Sequence, residues 1–196
     1  MSQIRQTEYD IHPQFTARWS SRAFTGEPIP EPMLLSFIEA ARWAPSSFNA
    51  QPWRFIYGIQ ETAGFDAIFG ALNEFNRGWA QRASALIAIV SATRWVPPGA
   101  SAPAEIATHS LDTGAAWGYL ALQAQAAGWN AHGIGGFDRA ALREALAVPA
   151  EFHIEAVVAI GRQGDRSILP ESLQAREQPS LRKPLSEIAA AGRFDF

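Results

Sequence analysis

The sequence predicts a three-layered domain of α/β or α+β class, with helices packed on both sides of one sheet. Segments of strand composition alternate with segments of helical periodicity along the chain. The run "ALIAIV", Ala85 to Val90, is uninterrupted and apolar, which suits a strand covered on both faces. A length of 196 residues, 47% hydrophobic and 18% charged, suffices for one domain with a substantial core and falls short of two. A single domain over 1–196 is expected.

The elements follow in order. "EPIPEP", Glu27 to Pro32, is a rigid turn, and Pro32 suits a first helical turn. Leu34, Phe37, Ile38 and Ala41 then recur at helical spacing, and Pro45 ends that helix. "WRFIYGI", Trp53 to Ile59, is aromatic and branched, hence a strand. Gly64 to Arg82 reads as one helix with Phe65, Ile68, Phe69 and Leu72 on its apolar face. "ALIAIVSA" is the second strand, and Gly99 to Glu105 a loop. Ala107 to Ala127 is a long helix in which Gly114 and Gly118 share a face. That face admits a close neighbour, from the same core or from a partner subunit. "GIGGF", Gly133 to Phe137, makes a glycine turn, and Asp138 caps a helix through Leu146. "IEAVVAIG", Ile154 to Gly161, is a third strand; 162–179 lack periodicity and form an irregular excursion before the tail, 180–196.

Composition removes several classes of function. The chain has no cysteine, which excludes disulfides, thiolate metal sites and cysteine nucleophiles. A net charge of -3 without a basic stripe argues against nucleic-acid binding. "MSQIRQTEYD" lacks the apolar core of a secretory leader, and no apolar run approaches the roughly 20 residues of a membrane span, so a soluble, cytoplasmic protein is expected. His12, His109, His132 and His153 are scattered, with no H-E-x-x-H pattern and so no expected metal site. Neither a G-x-S-x-G elbow nor a Walker loop occurs. A bound cofactor would therefore have to carry any demanding chemistry.

Three polar clusters remain. In "RWSSR", an extended backbone sends Arg18, Ser20 and Arg22 to one side and Trp19 to the other. Two guanidiniums and a hydroxyl suit a phosphate, as the stretch also suits a solvated loop. "APSSFNAQPW", Ala44 to Trp53, is stiffened by Pro45 and Pro52, and Asn49 and Gln51 offer paired donors and acceptors for a heterocycle's edge. A helix-to-strand loop satisfying its own backbone is the other reading. "GIGGFD" lacks the third glycine of a dinucleotide fingerprint, since Asp138 stands there. Gly135 and Gly136 instead let backbone approach a flat ligand.

Together, "RWSSRAF", "LLSFIEAARWAPSSFNAQPWRFIYG", "GIGGFD" and "SLRKPL" resemble the nitroreductase family of flavoproteins, from about Phe15 to Ile188. The resemblance implies an α+β fold, a three-layer sandwich whose central, mostly antiparallel sheet is flanked by helices. It implies an intertwined homodimer with FMN at the subunit interface, NADH or NADPH as electron donor, and a nitroaromatic, quinone or similar acceptor reduced by a ping-pong mechanism. By resemblance, Arg18, Ser20 and Arg22 contact the FMN phosphate and flavin edge, and Arg182 is a C-terminal phosphate contact. Pro45, Ser46, Ser47 and Asn49 reach the flavin from the other subunit. Asn76 lies at the pyrimidine edge, and Gly135 and Gly136 lie against the flavin's N5 side. No catalytic side chain is expected. The chain departs from some members twice: Trp79 stands at a lysine position near the flavin, where Arg77 or Arg82 would have to compensate, and Ser180 replaces a second basic residue two before Arg182. Same-fold flavin chemistry of another kind (dehalogenation, flavin fragmentation, azoline dehydrogenation) and a non-catalytic FMN-binding module are the alternatives.

Overall fold

In the second strand, alternate residues of the apolar run enter two different cores, which sets the architecture. In the computed structural model, which describes residues 5–196, Ala85, Ile87 and Ile89 face one hydrophobic cluster and Leu86, Ala88 and Val90 the other. Residues 1–4, which open the N-terminal stretch discussed above, lie outside the described residues.

The chain runs through α1 (Gln14–Ala17), α2 (Glu31–Arg42), β1 (Trp53–Ile59), α3 (Ala63–Gly70), α4 (Glu74–Ala80), β2 (Ala85–Ala92), β3 (Arg94–Trp95) and β4 (Ala104–Glu105). It continues through α5 (His109–Ala126), β5 (Asn130–Ile134), α6 (Arg139–Ala145), β6 (Phe152–Gly161) and α7 (Glu171–Gln174). The main sheet has the order β1-β2-β6-β5 and every pairing in it is antiparallel. On one face Leu34, Phe37 and Ala41 of α2 pack with Ala116, Leu120 and Ala124 of α5. On the other lie Phe65 and Ile68 of α3, Trp79 of α4 and Leu142 of α6. These two clusters make the three layers, and the expected antiparallel sandwich is what the chain forms.

Three expectations change. The helix foreseen over 64–82 is two, because Asn73 interrupts it: its side chain accepts from the Asn76 N–H and starts α4 afresh. An N-cap of this kind contributes about 1 kcal/mol, enough to place a boundary inside a continuous apolar pattern. The glycine turn foreseen at 133–137 begins later, since Gly133 and Ile134 belong to β5, a strand paired with β6 and not anticipated. Gly99 to Glu105 is not wholly loop, because Ala104 and Glu105 pair with Trp95 and Arg94. Asp138 caps α6 as expected, accepting from the N–H groups of Ala140 and Ala141. No helix among the described residues is long and apolar enough to cross a membrane.

Candidate functional site

After α1 the backbone becomes extended at Arg18 (φ -70°, ψ 129°), and side chains then alternate. Ser21 and Ala23 are buried, while Arg18, Ser20 and Arg22 are half-buried on the other side. Trp19, expected to turn inward, is only half-buried. Arg18 Nη1 donates to Ser20 Oγ at 3.4 Å, and both line a cavity of about 470 Å³. Opposite them stand Trp117 and Gly118 of α5 and Gly133 of β5, so part of the wall is bare backbone.

Arg22 is drawn toward a different partner. Its N–H and that of Ala23 both donate to Glu177 Oε1, at 2.7 and 2.9 Å. Glu177 is buried, its Oε2 has no partner, and neither has the buried Nε of Arg22. Burial pushes the Arg22 guanidinium below the ordinary arginine value; Glu177 opposes that shift and Arg176 adds to it. A carboxylate from the 162–179 segment, just after α7, thus pins the extended segment that carries the arginines.

Beneath this strand, His132 of β5 donates Nδ1–H to the Ser21 carbonyl at 2.9 Å. Burial pushes its pKa down to about 4, with Arg22 and Arg18 assisting and the Ser21 and Ser20 carbonyls resisting. It is therefore neutral at pH 7. Its ring lies 4.6 Å from that of Trp79, whose Nε1–H donates to Asn76 Oδ1 at 3.2 Å. Asn76 Nδ2 in turn donates to the Gly136 carbonyl at 3.0 Å. Asn76 and Gly136 are thus brought together, and the amide's orientation is set by the indole. A Cβ at Gly136 would sit 2.5 Å from Asn73 Nδ2 and 2.6 Å from Asn76 Nδ2, so only glycine fits. A Cβ at exposed Gly135 would meet nothing within 4 Å. Trp79 is 2% exposed and belongs to the core, and Arg77 and Arg82 are exposed without a hydrogen bond to this network.

The 45–51 loop is the most contorted part of the chain. Phe48, Asn49 and Gln51 all adopt left-handed backbone (φ 50°, 54° and 48°), each at a cost of about 1–3 kcal/mol. Among the contacts that hold it are two to side-chain oxygens. Ser46 Oγ accepts from the Gln51 N–H at 3.0 Å, and the Ser47 N–H donates to Asp112 Oδ2 at 3.1 Å. Asp112, buried at the start of α5, also accepts from Thr108 Oγ1 at 2.9 Å. Pro45 and Asn49 are exposed. Among the described residues no hydrogen bond joins this loop to 18–22, so one chain does not bring the two clusters together.

Arg182 reaches the first cluster from the far end of the sequence. Its Nη1 donates to Ser180 Oγ at 2.9 Å, and its charge acts on Arg18. Burial first, and Arg182 second, push Arg18 below the ordinary arginine value. Sequence reading did not single out Glu177, His132 or Asp112. Each becomes functional through a partner 65 or more residues away, and no local pattern signals that.

Comparison with known proteins finds relatives over most of the chain. A 46-residue stretch is 44% identical to YfhC of Bacillus subtilis, provisionally named an NAD(P)H nitroreductase, and spans 24% of each chain. The NADH dehydrogenase of Thermus thermophilus is 26% identical over 198 residues, covering 87% of this chain and 90% of that one. A solved oxidoreductase containing FMN superposes with a TM-score of 0.93 at 44% identity, covering 97% of this chain and 96% of that one. The model of the nitroreductase family matches residues 15–74 and 59–162, which takes in both polar clusters, the Asn76–Gly136 pair and the whole sheet; the chain belongs to that family.

Proposed function

We propose that the protein is an FMN-dependent oxidoreductase that takes hydride from NADH or NADPH and passes electrons to a nitroaromatic, quinone or similar acceptor. Donor and acceptor use one site in turn, and the working unit is a homodimer. The observation that carries this reading is the pairing of Arg18 and Ser20 beside a glycine-walled cavity, with Arg182 nearby and no carboxylate in ion-pair reach of either arginine among the described residues. A site that gathers cations without a counter-ion fits a phosphate. The open space at Gly135 and the pre-oriented amide of Asn76 fit a flat heterocycle with a polar rim. The FMN in the 44% identical structure supports the same group here.

When bound, FMN supplies the two-electron carrier between donor and acceptor. The chain's residues bind and orient. Arg18, Ser20 and Arg182 hold the phosphate end, and Glu177 keeps the backbone at Arg22 in place. Asn76 presents an amide whose direction Trp79 fixes, and Gly135 and Gly136 offer backbone without side chains. Pro45, Ser46, Ser47 and Asn49 complete the site from the second copy, which accounts for a strained loop with Phe48 86% exposed in a single chain.

The test is direct. Purified protein should be yellow, and anaerobic NADH or NADPH should bleach it. Colourless protein that takes up no added FMN would overturn the proposal. Yellow protein that neither nucleotide reduces would move it to other flavin chemistry or to a binding module.

A further inference from the structure

Arg5 did not stand out in the sequence, yet its guanidinium joins both ends of the phosphate grip. Nη1 donates to the carbonyls of Arg18, at 2.7 Å, and Thr16, at 2.9 Å. Nε donates to the carbonyl of Ser180 at 3.0 Å, across 175 residues of sequence. One guanidinium thus ties the Arg18–Ser20 strand to the segment carrying Ser180 and Arg182. Nη2 makes no hydrogen bond to a described residue.

Three positive charges therefore act on one another: Arg5 and Arg182 line one cavity, of about 930 Å³, and Arg18 lines the adjoining one, with Phe15 common to both. Burial first, then Arg182 and Arg18, push the Arg5 guanidinium below its ordinary value. None of the three guanidiniums has a carboxylate within ion-pair distance among the described residues. Like charges held together without a counter-ion repel, and an anion from outside the chain relieves that repulsion.

We propose that Arg5 is the third guanidinium of the FMN phosphate site, adding its charge to those of Arg18 and Arg182 while holding the 18–20 and 180–182 segments of the grip together. The proposal rests on the FMN reading above. It is tested by titrating FMN and riboflavin, which lacks the phosphate, into apoprotein of the wild type and of Arg5→Ala, Arg5→Lys and Arg5→Gln. Thermal unfolding of each apoprotein with and without inorganic phosphate runs alongside.

Arg5→Ala should weaken FMN by about tenfold or more while riboflavin changes by less than about threefold. Arg5→Lys should recover more FMN affinity than Arg5→Gln, because it keeps the charge. Inorganic phosphate should raise the melting temperature of the wild type more than that of Arg5→Ala. Equal losses for FMN and riboflavin, unchanged FMN affinity, or Arg5→Gln matching Arg5→Lys would overturn the role. Should Arg5→Ala fail to fold, the Lys and Gln pair decides alone. Wild type that binds neither flavin overturns the functional reading itself, whereas wild type that binds FMN no better than Arg5→Ala overturns only the assignment of Arg5.

Discussion

At the scale of single residues, the site is held by groups whose chemistry depends on burial. His132 is the clearest case. In the folded chain it takes a proton only near pH 4, against 6.5 for an ordinary histidine. Between those values the unfolded chain binds more protons than the folded one, so stability falls as pH falls from about 6.5 to about 4. The part owed to His132 is on the order of 3 kcal/mol and is fully present above pH 7. His132→Asn keeps a donor toward the Ser21 carbonyl and removes the titration. Urea unfolding of both proteins at pH 7, 5 and 4 should give a difference curve that shrinks by that amount toward acid; a flat difference would mean that His132 is not held neutral. In the sequence His132 was one of four scattered histidines. Its meaning comes from Ser21, 111 residues away. Arg18, Ser20 and Arg22 were legible because they lie within five residues of one extended stretch. Arg5, Glu177 and His132 were not, because only the fold makes them neighbours of that stretch.

At the scale of elements, two strands with strong patterns were readable to the residue: β1 spans Trp53–Ile59 and β2 spans Ala85–Ala92, as their composition indicates. β5 was not. "NAHGI" has one branched residue and a glycine, and it is a strand because β6 pairs with it along its whole length. Gly133 and the two glycines just after the strand, Gly135 and Gly136, masked it, and the latter two divide two kinds of work. A methyl at Gly136 collides with the Asn73 and Asn76 amides, so Gly136→Ala should disturb the start of α4 and FMN binding together. A methyl at Gly135 meets only open space and Gly135 lacks a positive φ, so Gly135→Ala should leave the melting temperature within about 1 °C. If backbone here lies against the flavin, Gly135→Ala should nonetheless weaken FMN by about tenfold, through lost contact distance alone. Melting curves and flavin titrations on the two variants separate these effects. Equal FMN affinity for Gly135→Ala and the wild type would remove this turn from the site.

At the scale of the whole molecule, one face of α5 is only partly covered among the described residues: Gly118 and Leu122 line the cavity beside Arg18 and Ser20, while Leu111 and Gly114 are exposed. Asp112, Thr113, Ala116, Leu120 and Ala124 are buried against the sheet and α2. Leu111, Gly114, Gly118 and Leu122 recur at helical spacing on the opposite side, with Leu111 74% exposed. A Cβ at either glycine would meet nothing within 4 Å. Of the two neighbours the sequence allowed for this face, the proposed dimer assigns a partner subunit to its exposed part, Leu111 and Gly114. The competing outcomes have opposite signs. For a solitary chain, Ala in place of Gly at 114 and 118 adds helix propensity without a clash, about 1 kcal/mol of stability at each. For a homodimer whose seam runs along these glycines, the same methyl groups hold two backbones apart at every contact, twice over by symmetry. The proposed dimer predicts that Gly114→Ala/Gly118→Ala dissociates at about tenfold higher protein concentration than the wild type in sedimentation equilibrium. Gly114→Ala alone, which leaves the Gly118 wall of the cavity unchanged, should lose FMN in the range where it dissociates, because the 45–49 loop of the second copy leaves with it. A double variant that melts higher, stays dimeric and keeps its flavin would place the seam on another face. A wild type that is monomeric yet retains FMN would remove the second copy from the site, and Phe48 would then need a different reason for its strained and exposed position.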